Sequence, residues 1–107
     1  MVTLFPEFVE TVQHYGVIAR AAEQKLIEVV TWNPRDHATD RHRTVDDRPY
    51  GGGPGMVMKV EPLRAVIQAA RQAGPPASVV YLTPEGRRLD NQIAASLGQR
   101  ERIILLC

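Results

Sequence analysis

Two apolar runs near the C-terminal end, Ser78–Leu82 and Arg102–Cys107, constrain the fold most. Each has the length and β-branched content of a buried strand. Between them lies no hairpin turn but a turn followed by a helical segment. Strand, helix, strand is the pattern of an α/β unit with parallel strands. The same alternation runs through the rest of the chain. Val2–Phe5 reads as a short strand, and Pro6-Glu7 as a helix start, with Phe8, Val9 and Val12 on one apolar face up to Gly16. A second helix is expected at Val17–Lys25 and a strand at Ile27–Trp32. Glu61-Pro62 opens a further helix, where Leu63, Val66, Ile67 and Ala70 fall at i, i+3, i+4 and i+7. Gly74-Pro75-Pro76 stops it. Asp90 is placed to cap Asn91–Leu97, with Ile93 and Leu97 on one face and Gly98 as the C-terminal glycine. The expected class is α/β, a mostly parallel sheet flanked by helices, in a single domain spanning residues 1–107.

Composition narrows the functional classes. Hydrophobic residues make up 44% and charged residues 23% of the 107, which is ordinary globular usage and argues against disorder. No apolar run approaches the roughly 20 residues of a membrane helix. Met1–Phe5 is too short for a signal-peptide core. One cysteine cannot form an internal disulfide, which fits a reducing, cytoplasmic setting. A net charge of +1 removes bulk basicity as an argument for nucleic-acid binding. Cys107 lies in an apolar run and reads as core rather than nucleophile. A chain that stops inside such a run reads as a fragment, because domain ends are usually exposed.

Asn33–Gly55 breaks the alternation. It holds four Arg, four Asp, two His, three Pro and four Gly, without strand or helix period. A stretch of about 20 such residues in a compact domain is functional or disordered. Within it, Arg48-Pro-Tyr-Gly-Gly-Gly-Pro-Gly-Met56 permits positive φ and close approach of a ligand. It lacks the Gly-Lys-Ser/Thr of a P-loop, and no helix opens on it as in a dinucleotide fingerprint. Arg41, Arg43 and Arg48 suit phosphate oxygens, and His42 suits a phosphate or proton transfer. Asp46 and Asp47 suit a base edge, a turn cap, a proton or pairing with the arginines. A self-paired, solvated loop accounts for the same charges. Tyr81-Leu-Thr-Pro-Glu-Gly86 follows a buried strand, the place where open α/β sheets bind ligands; an ordinary strand-to-helix turn has the same pattern. No Cys/His spacing suggests a metal, and no Ser/His/Asp set is evident.

Taken together, Thr3-Leu-Phe-Pro-Glu7, Trp32-Asn-Pro-Arg-Asp36, Asp40–Met56 and Tyr81–Gly86 resemble the bacterial tRNA (guanine-N1)-methyltransferases of the SPOUT, or trefoil-knot, class. The resemblance covers nearly the whole chain in order. It implies S-adenosylmethionine as methyl donor, tRNA as partner, transfer to N1 of the guanine 3′ of the anticodon, and a homodimer. It implies a cofactor loop at Tyr81, Leu82, Thr83, Pro84, Glu85 and Gly86. It implies contacts near the target guanine from the region of Arg41, His42, Arg43, Arg48, Tyr50, Gly52, Gly53 and Gly55. Glu85 stands where many family members have Gln, and the first strand is shorter than usual for the family. The segment that would form the knot, and the general base, would lie beyond Cys107. The chain is therefore expected to be a SPOUT-like half domain, inactive alone. A non-catalytic RNA- or anion-binding module is the alternative expectation.

Overall fold

The computed structural model describes all residues, Met1–Cys107. Its framework is a small parallel sheet. Strand β3 (Ser78–Tyr81) pairs with β4 (Ile103–Leu106) in parallel, from Ser78 against Ile103 to Tyr81 against Leu106. Val2 bridges Leu106 on one side and Trp32 on the other, both in parallel. The spatial order is Trp32, Val2, β4, β3. Val2 donates to the Leu105 carbonyl at 2.8 Å, and Thr3 donates to the Trp32 carbonyl at 3.0 Å.

Four α-helices accompany this sheet. Helix α1 (Pro6–Val12) begins on its proline, with Glu7 in the first turn. Helix α2 (Gly16–Glu23) ends two residues before the expected Lys25. Lys25 is left-handed (φ 57°) and its N–H bonds the Ala22 carbonyl, while Leu26 N–H bonds that of Ala21. That pair of bonds is a Schellman closure, made here without glycine. Helix α3 (Val60–Gln72) carries the expected stripe. Its Val66 and Ala70 are buried with Val2, Ile104 and Leu106, and Leu63 and Ile67 pack against that cluster. Arg102 reaches from the start of β4 to the Ala70 and Pro75 carbonyls, placing a cation at the negative end of α3. In α4 (Asn91–Gly98), Asp90 accepts from the Ile93 N–H at 2.8 Å, as its spacing predicts. Ile93 and Leu97 are its half-buried positions. Gly98 is the last helical residue, without the left-handed φ of a C-terminal glycine.

Several expectations are corrected. Val2–Phe5 and Ile27–Trp32 reduce to the bridges at Val2 and Trp32. Thr3 Oγ1 accepts from Phe5 N–H at 3.1 Å and turns the chain into α1. Val2 offers a single rung, so Ile27–Thr31 finds no strand to pair with. On α1 only Val9 is buried; Phe8 is 71% exposed because no element covers that side. The Asn33–Gly55 stretch contains regular structure: a 3-10 turn, η1 (Pro34–His37), and β1 (Asp46–Asp47), antiparallel to β2 (Val57–Met58). Cys107 is exposed rather than core; the last inward position is Leu106.

The fold leaves much surface uncovered. It exposes 8626 Å², against about 6,000 Å² for a folded monomer of this mass. Its radius of gyration is 15.5 Å, against about 13 Å for a compact chain of this length. The central core is five buried residues, so each one matters. Ile104→Ala is expected to lower unfolding stability by about 2–5 kcal/mol, read as a shift in the urea midpoint. Burial holds the Met1 amino group below its ordinary pKa of 8.0; Arg102 adds to this and Cys107 opposes it. The folded chain thus binds fewer protons than the unfolded one in the window beneath 8.0. Stability should rise with pH through that window and level off above it. Acetylating the amino group should flatten the profile.

Candidate cofactor turn and nucleic-acid interface

The carboxyl end of β3 leads into the Tyr81–Gly86 segment. Leu82 N–H bonds the Leu106 carbonyl at 3.0 Å, which anchors the segment to the end of β4. Beyond it the chain turns on Thr83. The Gly86 N–H donates to the Thr83 carbonyl at 3.2 Å, and the Glu85 N–H to Thr83 Oγ1 at 3.3 Å. Those two N–H groups are used within the turn. The Thr83 N–H and the carbonyls of Leu82, Pro84 and Glu85 form no bond within the chain. Tyr81, Pro84, Glu85 and Gly86 are exposed and Thr83 is half-buried. The turn therefore presents one donor, three acceptors and the Glu85 carboxylate at the carboxyl end of a parallel edge strand.

The second cluster is the Asn33–Gly55 region, which is folded in two stages. Asn33 Oδ1 accepts from Arg35 N–H at 3.0 Å and caps η1, whose buried Pro34 seats it beside α3. The chain then loops out and returns. Asp40 accepts from both the N–H (2.9 Å) and the hydroxyl (2.6 Å) of Thr44. These bonds hold the Asp40 carboxyl below its usual pKa. Arg43 is left-handed (φ 51°), bonds the Arg35 carbonyl through Nε at 3.1 Å, and pairs with Asp36. Val45 is 1% exposed, and its carbonyl accepts from Lys59 N–H at 2.7 Å. The β1–β2 ladder follows, so Arg48–Met56 is the tip of a hairpin.

That tip needs its glycines. Gly52 N–H bonds the Pro49 carbonyl at 3.0 Å, and Gly51 (φ 84°) occupies the position of this turn that requires positive φ. A Cβ on it would meet nothing within 4 Å, so conformation and not space demands glycine there. Gly52, Gly53 and Gly55 also have positive φ, and Tyr50 is fully exposed.

The proposed RNA-facing residues thus separate. The side chains of Arg41, His42 and Arg48 are exposed, with no hydrogen bond or ion pair inside the chain. Arg43 is already engaged by Asp36 and the Arg35 carbonyl. Asp47 accepts from Arg48 N–H at 2.7 Å. No hydrogen bond or ion pair joins the Tyr81–Gly86 turn to the glycine-rich tip. The sequence reading missed the Asp40–Thr44 and Asp36–Arg43 clips. The four-residue Asp/Thr spacing was the available signal for the first; the second is created by a tertiary approach.

A parallel α/β sheet with an open turn at its carboxyl end, and a separate basic, glycine-tipped hairpin, is a fold with recognisable relatives. The family model described as tRNA (Guanine-1)-methyltransferase TrmD matches residues 1–107. The chain is 62% identical over 108 residues to the tRNA (guanine-N(1)-)-methyltransferase of Halorhodospira halophila, covering all of this chain and 41% of that protein. It is 57% identical to the enzyme of the same name from Hahella chejuensis, covering all of this chain and 42% of that one. Among solved structures, the crystal structure of tRNA (m1G37) methyltransferase from Aquifex aeolicus superposes with a TM-score of 0.86 at 30% identity, over 97% of this chain and 47% of that one. The chain belongs to the tRNA (guanine-1)-methyltransferase TrmD family. It spans about two-fifths of the length of the curated relatives it matches.

The clip on the hairpin approach is testable. Asp40→Ala should speed hydrogen exchange at the Thr44 amide, which loses its acceptor, while the Val66 amide in α3 stays protected. With the wild-type chain, the protection of that amide relative to its intrinsic exchange rate should fall only when the pH drops below the ordinary carboxylate range, since the lowered Asp40 pKa keeps the acceptor ionised until then.

Proposed function

We propose that this chain supplies the cofactor-holding turn and part of the tRNA-facing surface of an enzyme that methylates N1 of the guanine 3′ of a tRNA anticodon. The methyl donor is S-adenosylmethionine. The observation that carries the reading is the unused hydrogen-bonding set of the Tyr81–Gly86 turn. A neutral adenine edge carries an amino donor beside a ring-nitrogen acceptor. The turn offers carbonyls and the Thr83 N–H to match it, so the residues present fit that group. Glu85 adds a negative charge, which favours a cationic ligand nearby. When bound, S-adenosylmethionine supplies an electrophilic methyl group on a sulfonium.

The chain's own part is binding and orientation. Tyr81–Gly86 fixes the donor; Pro84 keeps φ near that of a turn and removes a competing N–H. Arg41 and Arg48 hold phosphate oxygens of the tRNA, His42 donates beside them, and Tyr50 offers a ring for a base to stack on. The left-handed run Gly52, Gly53 and Gly55 lets RNA approach the main chain. Arg43 serves from behind, holding the loop that bears Arg41 and His42. Joint fixation of two substrates lowers a barrier by up to roughly 7–11 kcal/mol when orientation is good. Guanine N1 carries a proton that a carboxylate must accept. The resemblance to the family assigns this role to a group in the part of the family's length that this chain does not span, and Asp47 is already engaged by the Arg48 N–H. The chain alone is therefore proposed to be inactive, and the complete protein to act as a homodimer in the cytoplasm.

The deciding measurement uses the protein extended to the length of its relatives and follows labelled methyl transfer from S-adenosylmethionine. Transfer to tRNA with guanine 3′ of the anticodon, and not to one with adenine there, is expected. No transfer from a folded protein would overturn the assignment. Pro84→Leu should weaken cofactor binding by calorimetry at least tenfold. Arg41→Ala and Arg48→Ala should each lower the salt dependence of tRNA affinity by about one counterion. Arg43→Ala should weaken binding while leaving that slope unchanged.

A further inference from the structure

Arg41 and His42 are the two middle residues of a tight turn, closed by the Arg43 N–H donating to the Asp40 carbonyl at 3.0 Å. All four residues of that turn are exposed, so no packing fixes the direction in which it points. What fixes it lies on either side. On the far side, the Asp40 carboxylate grips the N–H and hydroxyl of Thr44, next to buried Val45. On the near side, one guanidinium reaches back to η1: Arg43 Nε donates to the Arg35 carbonyl at 3.1 Å, and its terminal nitrogen pairs with Asp36. The chain carries 13 Lys and Arg and 12 Asp and Glu, yet forms one ion pair, and it is this one.

Both partners of the pair are more than half exposed, so it adds little to stability. Its effect is on conformation. Arg43 has φ 51°, a left-handed backbone that residues with a Cβ adopt reluctantly. Two contacts on its side chain offset that cost and select this state. Were Arg43 to return to an ordinary φ, the chain between Asp40 and Thr44 would have to rotate, carrying Arg41 and His42 with it. The anchor itself is firm: η1 is capped by Asn33 and held by buried Pro34. The guanidinium fork suits the task, since separate nitrogens serve the carbonyl and the carboxylate. Asp36 also neutralises Arg43, which leaves Arg41 as the free cation of the turn.

We propose that Asp36 is a positioning residue for the tRNA. It touches no RNA itself; by fastening Arg43 to η1 it holds the turn that presents Arg41 and His42. The proposal rests on the reading of those two residues as tRNA-facing. It assigns Asp36 and Arg43 to one linkage, with Arg41 and His42 as its output, and it separates the acidic residue of η1 from the acidic residues of the β1–β2 ladder, which hold no arginine side chain.

The test uses the protein extended to the length of its relatives and compares Asp36→Ala, Arg43→Ala and the double variant. Asp36→Ala should raise KM for tRNA about fivefold, with kcat and KM for S-adenosylmethionine unchanged. Arg43→Ala should cost at least as much, and the double variant no more than Arg43→Ala, because both changes cut one linkage. Asp36→Glu keeps the carboxylate and should recover most of the affinity. Arg43→Lys offers one nitrogen for two partners and should not. Hydrogen exchange reads the turn directly: the Arg43 amide should exchange faster in Asp36→Ala while the Val66 amide in α3 stays protected. Additive losses in the double variant would make Asp36 an independent contact and overturn the proposal. So would an unchanged KM for tRNA, or unchanged exchange at Arg43. Each of those failures leaves methyl transfer by the wild-type protein intact; a wild-type protein that transfers no methyl group to tRNA would overturn the functional reading and this proposal together.

Discussion

The structure depends on the parallel pairing at Val2. This residue is completely buried and bridges both the Trp32 segment and Leu106 of the β3–β4 pair. Its side chain is also part of the cluster that seats α3 through Val66 and Ala70. Sheet continuity and helix packing therefore meet at one position. Arg102 reinforces the same joint from outside, tying the last carbonyls of α3 to the start of β4. A core this small has little redundancy, because an ordinary domain is stable by only about 5–15 kcal/mol in total.

From that joint the two candidate sites diverge. The turn after β3 is held by Leu82 on Leu106, so its position follows from the sheet. The glycine-tipped hairpin hangs instead from α3, through buried Pro34 in η1 and the Val45–Lys59 bond. One support runs to β4 and the other to α3, and these two elements meet in the cluster of Val2, Val66, Ala70, Ile104 and Leu106. The excess of exposed surface belongs with this arrangement: Phe5, Phe8, Tyr15 and Leu26 are exposed apolar side chains with no element over them. Apolar surface of that kind marks contact regions, and it accords with a family whose curated relatives are more than twice as long.

Legibility from sequence followed the range of the interactions. Helix α3 and the Asp90 cap were readable because 3.6-residue periodicity and capping act within a few residues. The parallel class was readable because strand–helix–strand order leaves few alternatives. The strand at Ile27–Trp32 was not, since β-branched content reports suitability for a sheet and not the presence of a partner. Phe8 and Cys107 were misread for a related reason: apolarity says what a residue tolerates, while burial needs something on the other side. The hairpin that begins inside Asn33–Gly55 and closes on Val57–Met58 was not legible, because a two-residue ladder has no period to detect. In the candidate sites, the sequence showed a turn after β3 and a basic loop but treated Arg41, Arg43 and Arg48 alike.

The amino-acid sequence by itself determined the class of fold, the family, the α3 stripe and the positions of the turn after β3 and the glycine tip. These rest on local patterns and on a long, specific string of residues. Tertiary structure alone decided which arginines are free, because Arg43 is committed only when η1 comes within reach of its loop. It also decided which N–H and carbonyl groups of the Thr83 turn remain open. Register and main-chain satisfaction are properties of pairs of segments distant in sequence, and no single stretch of residues encodes them.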